Sequence, residues 1–149
     1  MGQRRRAREC ALQMLYQIDQ TGISAGDLFQ QFWLGQPADP PLREFAERLV
    51  VGVTERSAEM DRVIASAATH WRIERMPVVD RNILRLALYE MLHERETPAV
   101  VVIDEAIEVA KKYGSEDSGS FVNGILDSVR RRLDSGDLAT CGGKHDEPD

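Results

Sequence analysis

The sequence predicts an all-α fold, a bundle of about seven helices without a sheet. Apolar residues recur at helix-face spacing almost everywhere along the chain, and a 3.6-residue period marks an amphipathic helix. No Asn-Gly or Asp-Gly pair separates alternating apolar runs, so the commonest hairpin signal is missing. The 149 residues fit one domain, or two small lobes sharing a core. A chain of this size buries roughly 70% of the surface its unfolded form exposes, so it needs no disulfide or metal staple.

The first helix is expected over about Gln3 to Gln20. Ala7, Ala11, Met14, Leu15 and Ile18 form its apolar stripe, and Gly22 follows its end. Ser24, with Asp27 three residues on, forms a capping box for a short helix carrying Leu28, Phe29, Phe32 and Trp33. Gly35 to Pro41 is a loop by composition, and the boundary between halves falls near it or in the next helix. Pro40 and Pro41 suit a helix start, and Leu42, Phe45, Ala46, Leu49, Val50 and Val53 continue at helical period. Ser57 is placed to cap a further helix through Met60, Val63, Ile64 and Ala67. Pro77 opens a strong helix bearing Ile83, Leu84, Ala87, Leu88, Met91 and Leu92. Thr97-Pro98 is a cap followed by proline at the first helical position, and Gly114 ends that helix. Its opening, Ala99 to Ile103, is rich in β-branched residues. A lone strand has nothing to pair with, however, and Asp104 to Lys112 is strongly helical, so the whole stretch is assigned to helix. The last helix runs from about Ser118 or Ser120 to Leu133, with Phe121, Val122, Ile125, Leu126 and Val129 inward. Residues 1–134 form one domain, and 135–149 read as a disordered acidic tail.

Composition narrows the function. Cys10 and Cys141 lie far apart with no CxxC or Cys/His spacing, which argues against a disulfide framework and a zinc site and for a reducing cytoplasm. No apolar run approaches the ~20 residues of a membrane span, and Glu9 and Gln13 interrupt any signal-peptide core. The net charge is −6, yet residues 1 to 8 hold four arginines and no acid. Without those four, 15 basic residues face 25 acidic ones, a body charge of −10. A short cationic segment on an acidic body suggests one local polyanion contact rather than a general nucleic-acid coat.

Catalytic equipment is thin. There is no Gly-rich phosphate loop, so nucleotide binding has no platform. Glu90 and His93 form one Glu-x-x-His pair, and a di-iron bundle needs two such pairs and two further carboxylates. The pair reads as a surface feature near a helix end. Ser118 and Ser120 have no nearby histidine as base. Asp104, Glu105 and Glu108 read as a solvated helix face. No cofactor, no metal and no enzymatic activity are expected.

The arginine cluster, Arg4, Arg5, Arg6 and Arg8, is the sharpest signal. Arginine forms bidentate contacts to phosphate, and counterion release from nucleic acid supplies free energy. Cations at a helix N-terminus oppose the helix dipole. The segment is therefore either a frayed solvated arm or a contact with something anionic.

In company the segment becomes specific. Arg4-Arg5-Arg6-Ala7-Arg8-Glu9-Cys10-Ala11 followed by Leu15-Tyr16 resembles the opening of the NusB family of bacterial transcription antitermination factors. So do Ile83-Leu84-Arg85-Leu86-Ala87-Leu88-Tyr89-Glu90 behind Asp80, and Ile103-Asp104-Glu105-Ala106-Ile107-Glu108-Val109-Ala110-Lys111 leading into Tyr113-Gly114-Ser115-Glu116-Asp117-Ser118. Phe121-Val122-Asn123-Gly124-Ile125-Leu126-Asp127 follows. These blocks keep the family's order and span almost the whole chain up to about Leu133. The Trp33 to Ser57 stretch and the tail carry little of the resemblance.

The resemblance implies a two-lobed helical protein that binds the boxA element of nascent RNA. It would act as a heterodimer with NusE, a small-subunit ribosomal protein, on the RNA polymerase elongation complex with other Nus factors, above all on ribosomal RNA operons. It further implies RNA contacts at Arg4, Arg5, Arg6, Arg8, Tyr16, Asp117, Ser118, Phe121 and Asn123, and a NusE-facing side at Tyr16 and Asp80.

The residues agree in part. Single-stranded RNA is read by stacking on rings and by hydrogen bonds to base edges. Tyr16 lies about two turns beyond Arg8, so arm and ring can share a face. Phe121 is either a second ring or core. Asp117 either accepts a base or sugar hydrogen or caps the last helix. Asp80 either docks a partner or favours the helix dipole. Gly124 inside a helix costs about 1 kcal/mol, which a close helix or backbone approach would explain.

Two other functions stay open. Such domains also precede methyltransferase domains acting on ribosomal RNA, but this chain ends without a cofactor-binding domain, so a stand-alone binding protein is expected. The other is a helical homodimer whose arm is an interaction tail. Free NusB-like proteins are monomers or homodimers, and mass measurement at low and high concentration separates the two.

Overall fold

A computed structural model describes residues 2–94 and 96–138. Seven helices and one 3-10 turn make up its regular structure: α1 Gln3–Thr21, α2 Ala25–Gly35, α3 Pro40–Glu55, α4 Ser57–Ala67, the turn Ile73–Arg75, α5 Val78–His93, α6 Ala99–Tyr113 and α7 Ser118–Ser135. There is no strand among the described residues. Ala99 to Ile103 is helical, as expected of a segment with no strand to pair with.

Helix α5 is the hub, packed against α1, α3, α4, α6 and α7. Ile83, Leu84, Leu86, Ala87, Leu88, Met91 and Leu92 are all buried, which makes it apolar on every side, as a central helix must be. One lobe is α1–α3 and the other α4 with α6 and α7. They meet along α5 and share one continuous core.

The punctuation explains the boundaries. Gly22 takes the left-handed conformation (φ 75°) and donates its N–H to the Ile18 carbonyl, which stops α1. The Ser24 hydroxyl accepts from the Asp27 N–H at 3.2 Å, the expected cap. Pro40 and Pro41 occupy the first turn of α3.

Other expectations need correction. Ser57 is the first residue of α4, not its cap; Arg56 alone separates α3 from α4 and no side chain caps that end. Pro98 rather than Thr97 takes the cap position of α6. Gly114 does not end α6 through a left-handed turn, since its φ is −97°. It is glycine because a Cβ there would strike the Ser118 side chain. Helix α7 runs on through Ser135, and Leu138 folds back to pack against the core, so 135–138 belong to the folded domain. The rest of the expected tail, 139–149, lies outside the described residues.

Gly124 overturns the close-approach explanation, because a Cβ at that exposed position meets nothing within 4 Å. Gly124→Ala should therefore stabilise the chain by about 1 kcal/mol. Chemical denaturation would show this as a higher midpoint at constant slope; an unchanged or lower midpoint contradicts it.

Candidate nucleic-acid interface

The four arginines do not form a frayed arm, because α1 begins at Gln3. Arg8 is 8% exposed. Its Nε donates to Glu90 Oε1 at 2.9 Å and its Nη2 to Glu90 Oε2 at 2.6 Å. Arg5 makes the same bidentate pair with Glu105, at 2.8 and 2.9 Å. Arg4 lies 3.9 Å over the Phe45 ring of α3 and 3.4 Å from Glu96. Carboxylates from α5, α6 and the loop between them thus offset the repulsion expected between the dipole and these cations. Arg6 alone is exposed with no carboxylate within 4 Å among the described residues.

This corrects two readings of acidic residues. Glu90 is buried and serves Arg8, while His93, its side chain 6% exposed, lies 3.3 Å from Glu59. The Glu90–His93 pair is therefore an interior feature, not a surface one. Glu105 likewise serves Arg5 instead of lining a solvated face.

The hydrogen bonds from Arg5 hold the Glu105 carboxyl below its usual range, against an opposing push from burial. A folded pKa below the unfolded one stabilises the native state above the unfolded pKa, and the gain is lost as pH falls through the folded value. The gap in melting midpoint between wild type and Glu105→Gln should accordingly shrink on acidification below the ordinary glutamate range. A gap that stays constant assigns the effect elsewhere.

Along α1, Arg5, Glu9, Gln13 and Tyr16 lie on the side that faces α6. Lys112 Nζ donates to Glu9 at 3.1 Å, the Tyr113 hydroxyl donates to Glu9 at 3.2 Å, and Gln13 Nε2 donates to that hydroxyl at 3.3 Å. Eleven residues separate Arg5 from Tyr16, about 20° of rotation on a 3.6-residue helix. Tyr16 therefore shares its face with Arg5, not with Arg8. It is 43% exposed and lines a groove of about 360 Å³ with Leu12, Gln13, Gln17, Val79 and Tyr113.

Beside that groove the start of α5 is tied to the start of α7. The Ser118 hydroxyl donates to Asp80 Oδ1 at 2.7 Å and accepts from the Ser115 N–H at 2.9 Å. Asp80 and Ser118 are 4% and 1% exposed, so neither presents its polar group to solvent. Asp117 and Asn123 are exposed, and Asp117 makes no side-chain cap. Phe121 is half-buried and meets the exposed Trp71 edge to face, with centroids 5.4 Å apart.

The expected residues thus divide into two clusters. Arg4, Arg5, Arg6 and Arg8 gather at one end of α1, while Tyr16, Asp117, Ser118, Phe121 and Asn123 gather near the starts of α5 and α7. From Arg6 to Tyr16 the helix rises about 15 Å. Sequence reasoning placed Glu90 and Glu105 at the surface and missed Trp71. A glutamate set among Leu84, Ala87, Leu88 and Met91 was a readable signal for a buried carboxylate needing a cation.

The profile of the NusB family matches residues 5–131, which runs from the arginine segment through most of α7. The chain belongs to the NusB family. A transcription antitermination protein NusB of Sorangium cellulosum is 49% identical over 133 residues, 89% of this chain and 95% of that protein. Among solved structures, Thermotoga NusB (T. maritima) superposes with a TM-score of 0.78 at 38% identity, covering 91% of this chain and 97% of that one. A chain of the complex of antitermination factors NusB and NusE with dsRNA superposes at 0.80 with 30% identity, covering 88% of this chain and 98% of that one. The NusB fold thus holds both clusters described above. No helix among the described residues is long and apolar enough to cross a membrane.

Proposed function

We propose that this chain is a cytoplasmic, non-enzymatic transcription antitermination factor. It binds boxA-type single-stranded RNA in nascent transcripts, especially ribosomal RNA, as a heterodimer with the ribosomal protein NusE, and acts on elongating RNA polymerase with the other Nus factors. The observation that supports this most is the close fit to a family member solved together with NusE and RNA.

The residues take distinct parts in this reading. Arg6, exposed and without a carboxylate partner, is the readiest phosphate contact, and Arg4 and Arg5 reach phosphate by exchanging Glu96 and Glu105. Tyr16 and Phe121 offer rings, while Asp117 and Asn123 offer acceptors and an amide to base edges. Arg8, Ser118 and Asp80 position these groups from inside the fold. Tyr16 and its groove form the NusE side, with Asp80 behind them.

With three of the four arginines already paired and a body charge of −10, the chain alone is a weak RNA reader. A basic ribosomal partner offsets that field and lengthens the RNA track. Titration of a labelled boxA-type RNA should show tight binding only with NusE present, and RNA should tighten NusE binding by the same factor. Equal affinity with and without NusE overturns this. Arg6→Ala should lower the salt slope by roughly 0.7 with an unchanged melting midpoint; an unaltered slope removes Arg6 from the interface. A second reading, duplex recognition, is favoured by the dsRNA in that solved complex, and an unlabelled duplex competitor separates the two.

A further inference from the structure

We propose that the Trp71 indole receives an unpaired nucleobase of the bound RNA, extending the stacking surface from Phe121 to the loop between α4 and α5. This rests on the RNA-binding reading above.

The two tryptophans of the chain behave differently. Trp33 is 7% exposed and its Nε1 donates to Glu47 at 2.8 Å. Trp71 is 53% exposed and its indole N–H has no hydrogen-bond partner among the described residues. An edge-to-face contact at 75° with Phe121 leaves at least one whole indole face turned away from that ring. Both features suit a base, which stacks on the open face of a ring while its flanking phosphate or edge accepts a hydrogen bond.

Unpaired arginines on the α4, α7 and loop side of the protein suit a polyanion. Most described arginines are consumed by carboxylates, but Arg75, four residues beyond Trp71, is exposed and has none within 4 Å. Arg132 of α7 donates to Ser66 Oγ at 2.8 Å, near the end of α4, and has no carboxylate partner among the described residues. Arg62, one turn before Ser66, is exposed and equally unpaired. On a protein with a net charge of −6, an exposed arginine without a carboxylate four residues from an exposed ring, with two more further along α4 and α7, fits an RNA strand better than an apolar protein surface. Asp117 lies four residues before Phe121, about one turn earlier along α7, and is exposed, so a strand that leaves the rings along this side meets it.

The test uses the full chain with NusE and a fluorescein-labelled boxA-type single-stranded RNA. In a Trp33→Phe background Trp71 is the sole tryptophan, and its emission should be quenched in step with RNA binding. Trp71→Ala should weaken binding roughly 5- to 150-fold, equivalent to about 1–3 kcal/mol for one stacked base. Trp71→Phe should recover most of this. Trp71→Leu, which keeps apolar cover over Phe121, should not. Binding within twofold of wild type in Trp71→Ala, or full recovery in Trp71→Leu, overturns the proposal. So does a loss of NusE affinity measured without RNA, which would make the ring a protein contact. In each of those cases weakened RNA binding by Arg6→Ala leaves the RNA-binding reading standing. If no variant and no wild type binds RNA, that reading fails and the proposal with it.

Discussion

Arg8→Ala is expected to be the most damaging arginine substitution in α1, although arginine segments of this kind usually suggest a surface contact. It leaves Glu90, 2% exposed, as a carboxylate without its bidentate partner. Breaking a buried pair from one side costs about 3–5 kcal/mol, a fall of roughly 6–20 °C in melting midpoint for a chain this long. Arg6→Ala, a neighbour with no carboxylate partner, should leave the midpoint unchanged. Replacing both members of the buried pair with apolar residues, as in Arg8→Met with Glu90→Leu, should recover most of the loss, because no charge then remains stranded. RNA binding should return with the fold in that double variant, since the positioning role of Arg8 is served by packing. A midpoint for Arg8→Ala within about 2 °C of wild type would show that the pair contributes little. Loss of RNA affinity in the refolded double variant would give Arg8 a direct contact instead.

The same residue shows where sequence reading reaches its limit. Helix identity was legible because it depends on local spacing: the 3.6-residue stripes, Ser24 with Asp27, the prolines of α3 and Gly22 all report on their own neighbourhood. The family was legible because its motifs are dense and ordered. Exposure of charged residues was not, since it depends on contacts 82 and 100 residues away, between Arg8 and Glu90 and between Arg5 and Glu105. Net charge treats all four arginines alike, whereas the fold buries one, pairs two with carboxylates and leaves one exposed without a carboxylate. Trp71 was overlooked for a similar reason. No local pattern says that the loop after α4 lies against the first turn of α7. Gly114 and Gly124 make the contrast sharp, for the glycine that closes α6 is required by a side chain it meets, and the one inside α7 meets nothing.

Asp80→Lys should unfold the start of α5 rather than merely repel a partner. The wild-type carboxylate is 4% exposed and accepts the Ser118 hydroxyl at 2.7 Å, which in turn receives the Ser115 N–H. A lysine there must bury an ammonium beside a hydroxyl that has lost its acceptor, and the α6–α7 loop carrying Asp117 loses its tie to α5. Loss of a hydrogen bond to a charged group costs about 1.5–3 kcal/mol, and the buried unpaired charge adds to it. A fall of more than 3 kcal/mol in unfolding free energy is therefore expected, measurable by denaturant titration. The reading that Asp80 contributes to NusE docking is tested by Asp80→Asn, which removes the charge but keeps the size and an acceptor for Ser118. If Asp80 acts by positioning the loop, Asp80→Asn keeps NusE affinity within about threefold while Asp80→Lys loses both fold and partner. A large loss of NusE affinity in Asp80→Asn with its melting midpoint intact would show that the charge itself is felt by the partner, through a surface that opens on binding.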